Sequence, residues 1–282
     1  MTRLIESLDE IADRYDALYC DLWGCYHDGL RPFPAAVAAL RRFRAAGGRV
    51  LLLTNAPRPG DAVARHLAGM GAPADSWDAV VSSGDAARAE AARGRFGRRV
   101  EHVGPPRDLP FFDGLDLERV PRDEAESVIV TGLHDDETET PEDYADAIAD
   151  WRARGLRMLC ANPDIVVDRG DRRLWCAGAI AEAYAAAGGE AVYAGKPHPP
   201  IYALAAERLM ALGGGERVLA LGDGIATDIA GGAAQGLDTL FVTGGLMADA
   251  FGSDPERPDA GALRDWLADR AESPTFAIGR LR

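Results

Sequence analysis

Short, continuously apolar runs alternate with alanine-rich stretches of helical spacing along most of this chain. The runs predict strands at Ala17–Asp21, Arg49–Asn55, Ala79–Ser82, Val100–Val103, Ser127–Thr131, Arg157–Ala161, Ala191–Tyr193, Arg217–Leu221 and Thr239–Val242. Helices are expected between them at Pro34–Ala46, Gly60–Gly69, Asp85–Arg95, Pro141–Arg154, Ala177–Ala187, Pro199–Leu212 and Thr227–Gly236. Runs such as Val50-Leu51-Leu52-Leu53 have the pattern of strands buried on both faces. The alternation predicts an α/β fold, a parallel sheet with helices on both sides. More strands lie between Thr54 and Lys196 than one crossover uses. The chain is therefore expected to leave the first sheet near Ser83-Gly84 and return near Gly195. Residues 84–193 would form an inserted domain, and residues 1–83 and 194–282 the core.

Polar residues sit at the carboxyl ends of three strands, where open α/β sheets bind their ligands. Asp21 ends the first, Thr54-Asn55 the second, and Asp223 follows the run Leu219-Ala220-Leu221-Gly222. A carboxylate at the end of a buried strand is costly unless paired or metal-bound. Asp21 is thus a candidate nucleophile toward phosphorus, or else a cap. Asp223 and Asp228 form Gly-Asp-x-x-x-x-Asp, a spacing suited to Mg²⁺. Thr227 also suits the N-cap of the next helix and Asp228 its first turn. Thr54 and Asn55 offer a hydroxyl and an N–H to a phosphate oxygen, or form a simple turn. Lys196, in Gly195-Lys196-Pro197, is the one lysine of the sequence and sits in an otherwise uncharged turn. It is placed to neutralise Asp21 and a transferring phosphate, unless it is a surface lysine. His27 and Asp28 are candidates for acid/base work or the tip of a polar hairpin. Asn162-Pro163-Asp164 reads as a substrate contact or a plain Asx turn.

The 282 residues carry a net charge of −14, with no basic stripe, which argues against nucleic acid as a partner. No apolar stretch approaches membrane-span length, and the first residues have no signal-peptide pattern. Cys20, Cys25, Cys160 and Cys176 form no C-x-x-C, so no zinc site is suggested and a reduced, cytoplasmic chain is expected. Glu190 stands where a Walker A loop needs its first glycine, and Pro197 follows the lysine. No Gly-x-Gly-x-x-Gly follows the first strand, which argues against a dinucleotide site.

Together, Asp21-Leu22-Trp23-Gly24, Leu53-Thr54-Asn55, Ala161-Asn162-Pro163-Asp164, Gly195-Lys196-Pro197 and Gly222-Asp223 with Asp228 resemble the haloacid dehalogenase (HAD) superfamily. The resemblance is closest to its class IIA branch, the NagD-like and nitrophenylphosphatase-like proteins. It implies a Rossmann-like core with an inserted C2-type cap. It also implies Mg²⁺, Asp21 as nucleophile, and Thr54 and Lys196 on the phosphate. Asp223, Asp228 and the backbone carbonyl of Trp23 would serve the metal. It implies a small phosphorylated metabolite as partner and a homodimer formed through the cap. One position departs: family phosphatases place a general acid/base Asp two residues after the nucleophile, where this chain has Trp23. Loss of general acid catalysis typically costs about 10²–10⁴-fold. The expected function is a Mg²⁺-dependent, slow phosphatase with His27 or Asp28 as substitute acid. The alternatives are a weakly catalytic phosphometabolite-binding or regulatory protein, and a non-phosphatase reaction such as dehalogenation.

Overall fold

A computed structural model describes residues 2–169 and 172–282. In chain order its elements are β1 (Arg3–Leu4), β2 (Ala17–Asp21), α1 (Pro34–Ala45), β3 (Arg49–Thr54), α2 (Gly60–Gly69), β4 (Ala79–Ser82), α3 (Ser83–Ala92), β5 (Arg99–Val103), β6 (Glu118–Arg119), β7 (Ser127–Val130), α4 (Ala145–Ala153), β8 (Arg157–Cys160), β9 (Val166–Arg169), β10 (Arg172–Trp175), α5 (Ala177–Ala186), β11 (Glu190–Tyr193), α6 (Pro199–Ala211), β12 (Val218–Gly222), α7 (Ala230–Ala234), β13 (Asp238–Val242), α8 (Ala260–Ala268) and β14 (Phe276–Ile278). Every strand expected from an apolar run is present, its ends moved by at most one residue.

The chain divides into two compact units. One comprises the residues up to Thr54, Ala64–Val81 and Tyr202–Arg282; the other comprises Asn55–Val63 and Ser82–Ile201. The first unit is built on a sheet of order β1-β14-β13-β12-β2-β3-β4. The pairs β1/β14, β14/β13, β13/β12, β12/β2 and β2/β3 are all parallel. Strand order reverses between β2 and β12: β3 and β4 extend one way, β13 and β14 the other. A crevice at the carboxyl ends of the strands belongs at such a switch point. Helix α1 starts at Pro34, a first position that needs no N–H partner. It turns Ala36, Val37, Ala39, Leu40 and Phe43 inward at helical spacing.

The second unit has its own parallel sheet, β11-β8-β7-β5-β6, and the hairpin β9–β10. Trp151 of α4 and Tyr184 of α5 fill its core beside Val128, Val130, Met158 and Ile180. The Trp151 indole N–H reaches Glu101 Oε2 at 2.6 Å, and the Tyr184 hydroxyl donates to the Leu156 carbonyl. Both aromatic rings are thereby buried with their polar atoms bonded. Ser82 starts α3 with a capping box, its Oγ accepting the Asp85 N–H at 2.9 Å.

Leu51 lies in the middle of β3 and is fully buried. Leu51→Ala is expected to cost about 2–5 kcal/mol. In a urea titration the midpoint should fall with the slope unchanged.

Candidate active site

In the first unit, acids converge at the ends of two adjacent strands. Leu221 of β12 pairs with Cys20 of β2. That register brings Asp21, the last residue of β2, beside Asp223, just past the end of β12. One donor atom from each, together with Cys25 Sγ, lies within 4.8 Å of the others. Asp21 is 7% exposed and Asp223 8%. The Leu246 N–H fixes Asp223 by donating to its Oδ2 at 2.8 Å.

Glycines make the convergence possible. A Cβ on Gly24, whose φ is +76°, would stand 2.0 Å from Asp223 Oδ2. A Cβ on Gly245 would stand 2.2 Å from the same oxygen. Asp228, also buried, accepts the Gly224 N–H at 3.1 Å and the Thr227 hydroxyl at 3.3 Å on Oδ2. Here the sequence reading needs correction. Thr227 does not cap an α-helix that starts after it. The turn is a π-helix over Ile225–Ile229, closed by the Ile229 N–H on the Gly224 carbonyl at 3.1 Å. The wider turn carries Asp228 back toward Gly222, where a Cβ would meet its Cγ at 2.0 Å. These carboxylates, packed against bare backbone, fit a small hard cation with oxygen ligands.

The segment after β2 folds back on itself. The Leu22 carbonyl accepts N–H groups from Tyr26 at 2.8 Å and His27 at 3.0 Å. Tyr26 is fully buried, and its hydroxyl lies 2.8 Å from Ser76 Oγ, which donates to the Pro73 carbonyl. Cys25 comes to rest against the acids because of this turn. Burial, then the charges of Asp223 and Asp21, push its thiol well above the ordinary range. The Trp23 indole is 37% exposed, lies edge-on to His27 with centroids 5.3 Å apart, and covers Gly29.

His27 and Asp28 are both on this segment. Burial, with His66 adding, lowers His27 to about 4, and its Nδ1 accepts the Gly29 N–H at 2.9 Å. At neutral pH it is an uncharged imidazole, able to accept a proton but not to donate one as an acid. Burial raises Asp28, but the Arg31 and Leu30 N–H groups and the Arg31 charge together outweigh it and hold the carboxyl below its usual range. Those bonds, 2.8 and 2.9 Å long, commit Oδ1 to the turn.

In the second unit Asn55 is the organiser. Its Oδ1 accepts the Lys196 N–H at 2.8 Å, and its Nδ2 donates to the Lys196 carbonyl at 3.1 Å and to Asp164 Oδ1 at 2.8 Å. Asn162 Oδ1 accepts the Asp164 N–H at 3.1 Å, an Asx turn. Asn162-Pro163-Asp164 is therefore a local turn, and it also reaches Asn55. Lys196 is 3% exposed. It is the single lysine of the sequence; the other basic residues are arginines. Ser83, which the sequence reading passed over, is fully buried, and its Oγ has no hydrogen-bond partner. A Cβ on Gly195 would meet that oxygen at 2.6 Å and Asn55 Oδ1 at 2.5 Å.

Residues 18–118 match the family model described as haloacid dehalogenase-like hydrolase, and residues 193–268 one described as HAD-hydrolase-like. The D-glycerol 3-phosphate phosphatase of Mycobacterium tuberculosis (strain ATCC 25618 / H37Rv) is 32% identical over 275 residues, 96% of this chain and 75% of that protein. The chain belongs to the haloacid dehalogenase-like hydrolases. A crystal structure of a member of this family from Brucella suis 1330 superposes with a TM-score of 0.87 at 43% identity, covering 99% of this chain and 100% of that one. The glycerol phosphate phosphatase of M. tuberculosis in complex with magnesium gives 0.72 at 29% identity, over 96% and 77%. The 4-nitrophenylphosphatase of Thermotoga maritima shares the fold, with a TM-score of 0.72 at 24% identity over 96% of each chain. Among the described residues of this hydrolase, no helix is long and apolar enough to cross a membrane.

Gly24→Ala combines a disfavoured φ with a collision against Asp223. It is expected to weaken divalent-cation binding roughly tenfold or more, read by calorimetry. Gly69→Ala, with no atom within 4 Å of the new Cβ, should leave it unchanged.

Proposed function

We propose that this hydrolase is a Mg²⁺-dependent phosphatase of small phosphorylated metabolites, with Asp21 as its nucleophile and residues 84–193 as its cap. The observation that carries the reading is the convergence of Asp21 and Asp223 at the ends of adjacent parallel strands. Relatives named as phosphatases, including one crystallised with magnesium, support it. Asp21 attacks phosphorus. As the new P–O bond forms, the ester oxygen leaves with its bonding pair, and water then releases phosphate from the aspartyl-phosphate. Asp21, Asp223, Asp228 and the Trp23 carbonyl would hold the cation. When bound, it neutralises the carboxylates and the substrate phosphate. The family resemblance would give Lys196 and Thr54 the phosphate oxygens, and within the second unit Asn55 fixes the backbone of Lys196.

The leaving oxygen is less well served. Trp23 replaces the usual acid, His27 is uncharged at neutral pH, and Asp28 is spent on its turn. Turnover therefore rests on how stable the departing group is without a proton. Aryl phosphates have good leaving groups and alkyl phosphates poor ones.

A panel of phosphate esters assayed with and without Mg²⁺ tests the reading. Hydrolysis should need the cation and disappear in Asp21→Asn. A folded, Mg²⁺-bound protein that hydrolyses nothing in the panel would overturn it in favour of a binding protein, the alternative that Trp23 favours.

Trp23→Asp restores a carboxyl at the acid position. Hydrolysis of alkyl phosphates should rise by up to about 10²–10⁴-fold. The gain for a 4-nitrophenyl ester should be much smaller. Equal gains on both would show that the indole obstructs the site and that proton transfer is not the limitation.

A further inference from the structure

The sequence places Cys25 four residues after the nucleophile in a chain with no C-x-x-C spacing, where nothing suggests a metal role. The fold changes that. The Leu22 turn brings Cys25 Sγ within 4.8 Å of a donor oxygen on both Asp21 and Asp223. The donor set at the strand ends is therefore two carboxylates and one sulfur, not carboxylates alone.

These donors suit two classes of cation differently. Mg²⁺ is hard, takes oxygen ligands and has little use for sulfur. Zn²⁺ and Cd²⁺ accept sulfur and oxygen together. With Zn–S near 2.3 Å and Zn–O near 2.0–2.2 Å, tetrahedral ligand atoms stand about 3.3–3.7 Å apart. Donors already within 4.8 Å of one another need to close by only about an ångström, within reach of side-chain rotation. Burial favours this too: Cys25 is 1% exposed, so a bound sulfur is kept from competing water and oxidants.

We propose that Asp21, Cys25 and Asp223 form a site for thiophilic divalent cations, Zn²⁺ or Cd²⁺, in which Cys25 supplies a sulfur ligand that Mg²⁺ does not use. On binding, the Cys25 S–H bond breaks, its proton passes to solvent, and the sulfur pair forms the bond to the cation, since a coordinating thiol is deprotonated outright. Such a cation occupies the carboxylates and excludes Mg²⁺, so the phosphatase site doubles as a point of inhibition by thiophilic metal. The inference shares only Asp21 and Asp223 with the proposed function, and it holds whether or not the protein turns over a phosphate ester.

The test uses the full chain, stripped of metal. Cd²⁺ added to the wild type should produce a near-ultraviolet sulfur-to-metal charge-transfer band, and X-ray absorption at the cadmium edge should show one sulfur in the first shell. In Cys25→Ser the band should vanish and Cd²⁺ affinity fall roughly tenfold or more, while Mg²⁺ affinity measured in parallel moves less than about threefold. Cys25→Thr provides a second variant should the serine protein fail to fold. An oxygen-only shell around Cd²⁺ in the wild type overturns the proposal without any variant. So does a band that persists in Cys25→Ser, which would assign the sulfur to Cys20, Cys160 or Cys176. Equal losses for Cd²⁺ and Mg²⁺ would make Cys25 a packing residue and also overturn it. Failure of Mg²⁺ to bind the wild type would count against the proposed function, and the cadmium shell would still decide this proposal.

Discussion

The mutual repulsion of buried acids at the ends of β2 and β12 is the constraint from which most of this molecule follows. Two unit charges about 4 Å apart cost about 4 kcal/mol at an effective dielectric near 20, and both side chains are nearly out of water. The parallel register of β2 against β12 keeps the backbones that carry them side by side. The fold answers with backbone dipoles and empty space. The Leu246 N–H points at Asp223 and the Gly224 N–H at Asp228, while Gly24, Gly222 and Gly245 keep side chains out of the volume the carboxylates occupy. Buried carboxylates gathered in this way suit a cation between them.

The rest of the fold holds those acids still. The carboxylates are anchored to strands buried on both faces, and the π turn of Ile225–Ile229 returns Asp228 to the same place from a helix start. On the second unit Asn55 plays the equivalent part, gripping both the N–H and the carbonyl of Lys196. Nearly every basic position of this chain has settled on arginine, whose planar fork suits surface ion pairs such as Arg41–Asp75 and Arg217–Asp16. The one lysine sits where a compact point charge is preferred to a fork.

Most of the sheet could be read from the chain because apolar runs in buried parallel strands are long and unbroken. What escaped had little apolar signal to give. β1 and β6 are two residues each, β14 is three, and β9–β10 is a hairpin in charged sequence. The three-residue β14 pairs on both sides, so its place comes from its neighbours and not from its own composition. Helix α8 turns Leu263, Trp266 and Leu267 inward at helical spacing, but this one short stripe follows a stretch rich in Pro, Gly and charge and was not predicted. At the site, Asp21, Asp223 and Lys196 were legible because a charge at the end of an apolar run stands out. Cys25 was not, because only the turn at Leu22 brings it under the acids. Ser83 and the glycines were silent for a similar reason: their importance is a matter of what lies next to them in space.

Trp23 shows how backbone and side-chain roles separate at one position. The peptide carbonyl at residue 23 survives any substitution, so a cation held by it as proposed would not depend on which side chain is there. The side chain decides proton supply, and here it is an indole lying over Gly29 and against His27. The same packing that buries His27 also strips it of charge. On the proposed reading, an aromatic residue at the acid position removes a donor, and the buried imidazole beside it is a poor replacement. On the proposed reading, phosphoryl transfer to Asp21 would still gain from charge neutralisation and positioning, which act on the phosphate whatever leaves it. On that reading, selectivity among substrates would shift from the shape of the leaving group toward its intrinsic stability as an anion, before any contribution from a cap.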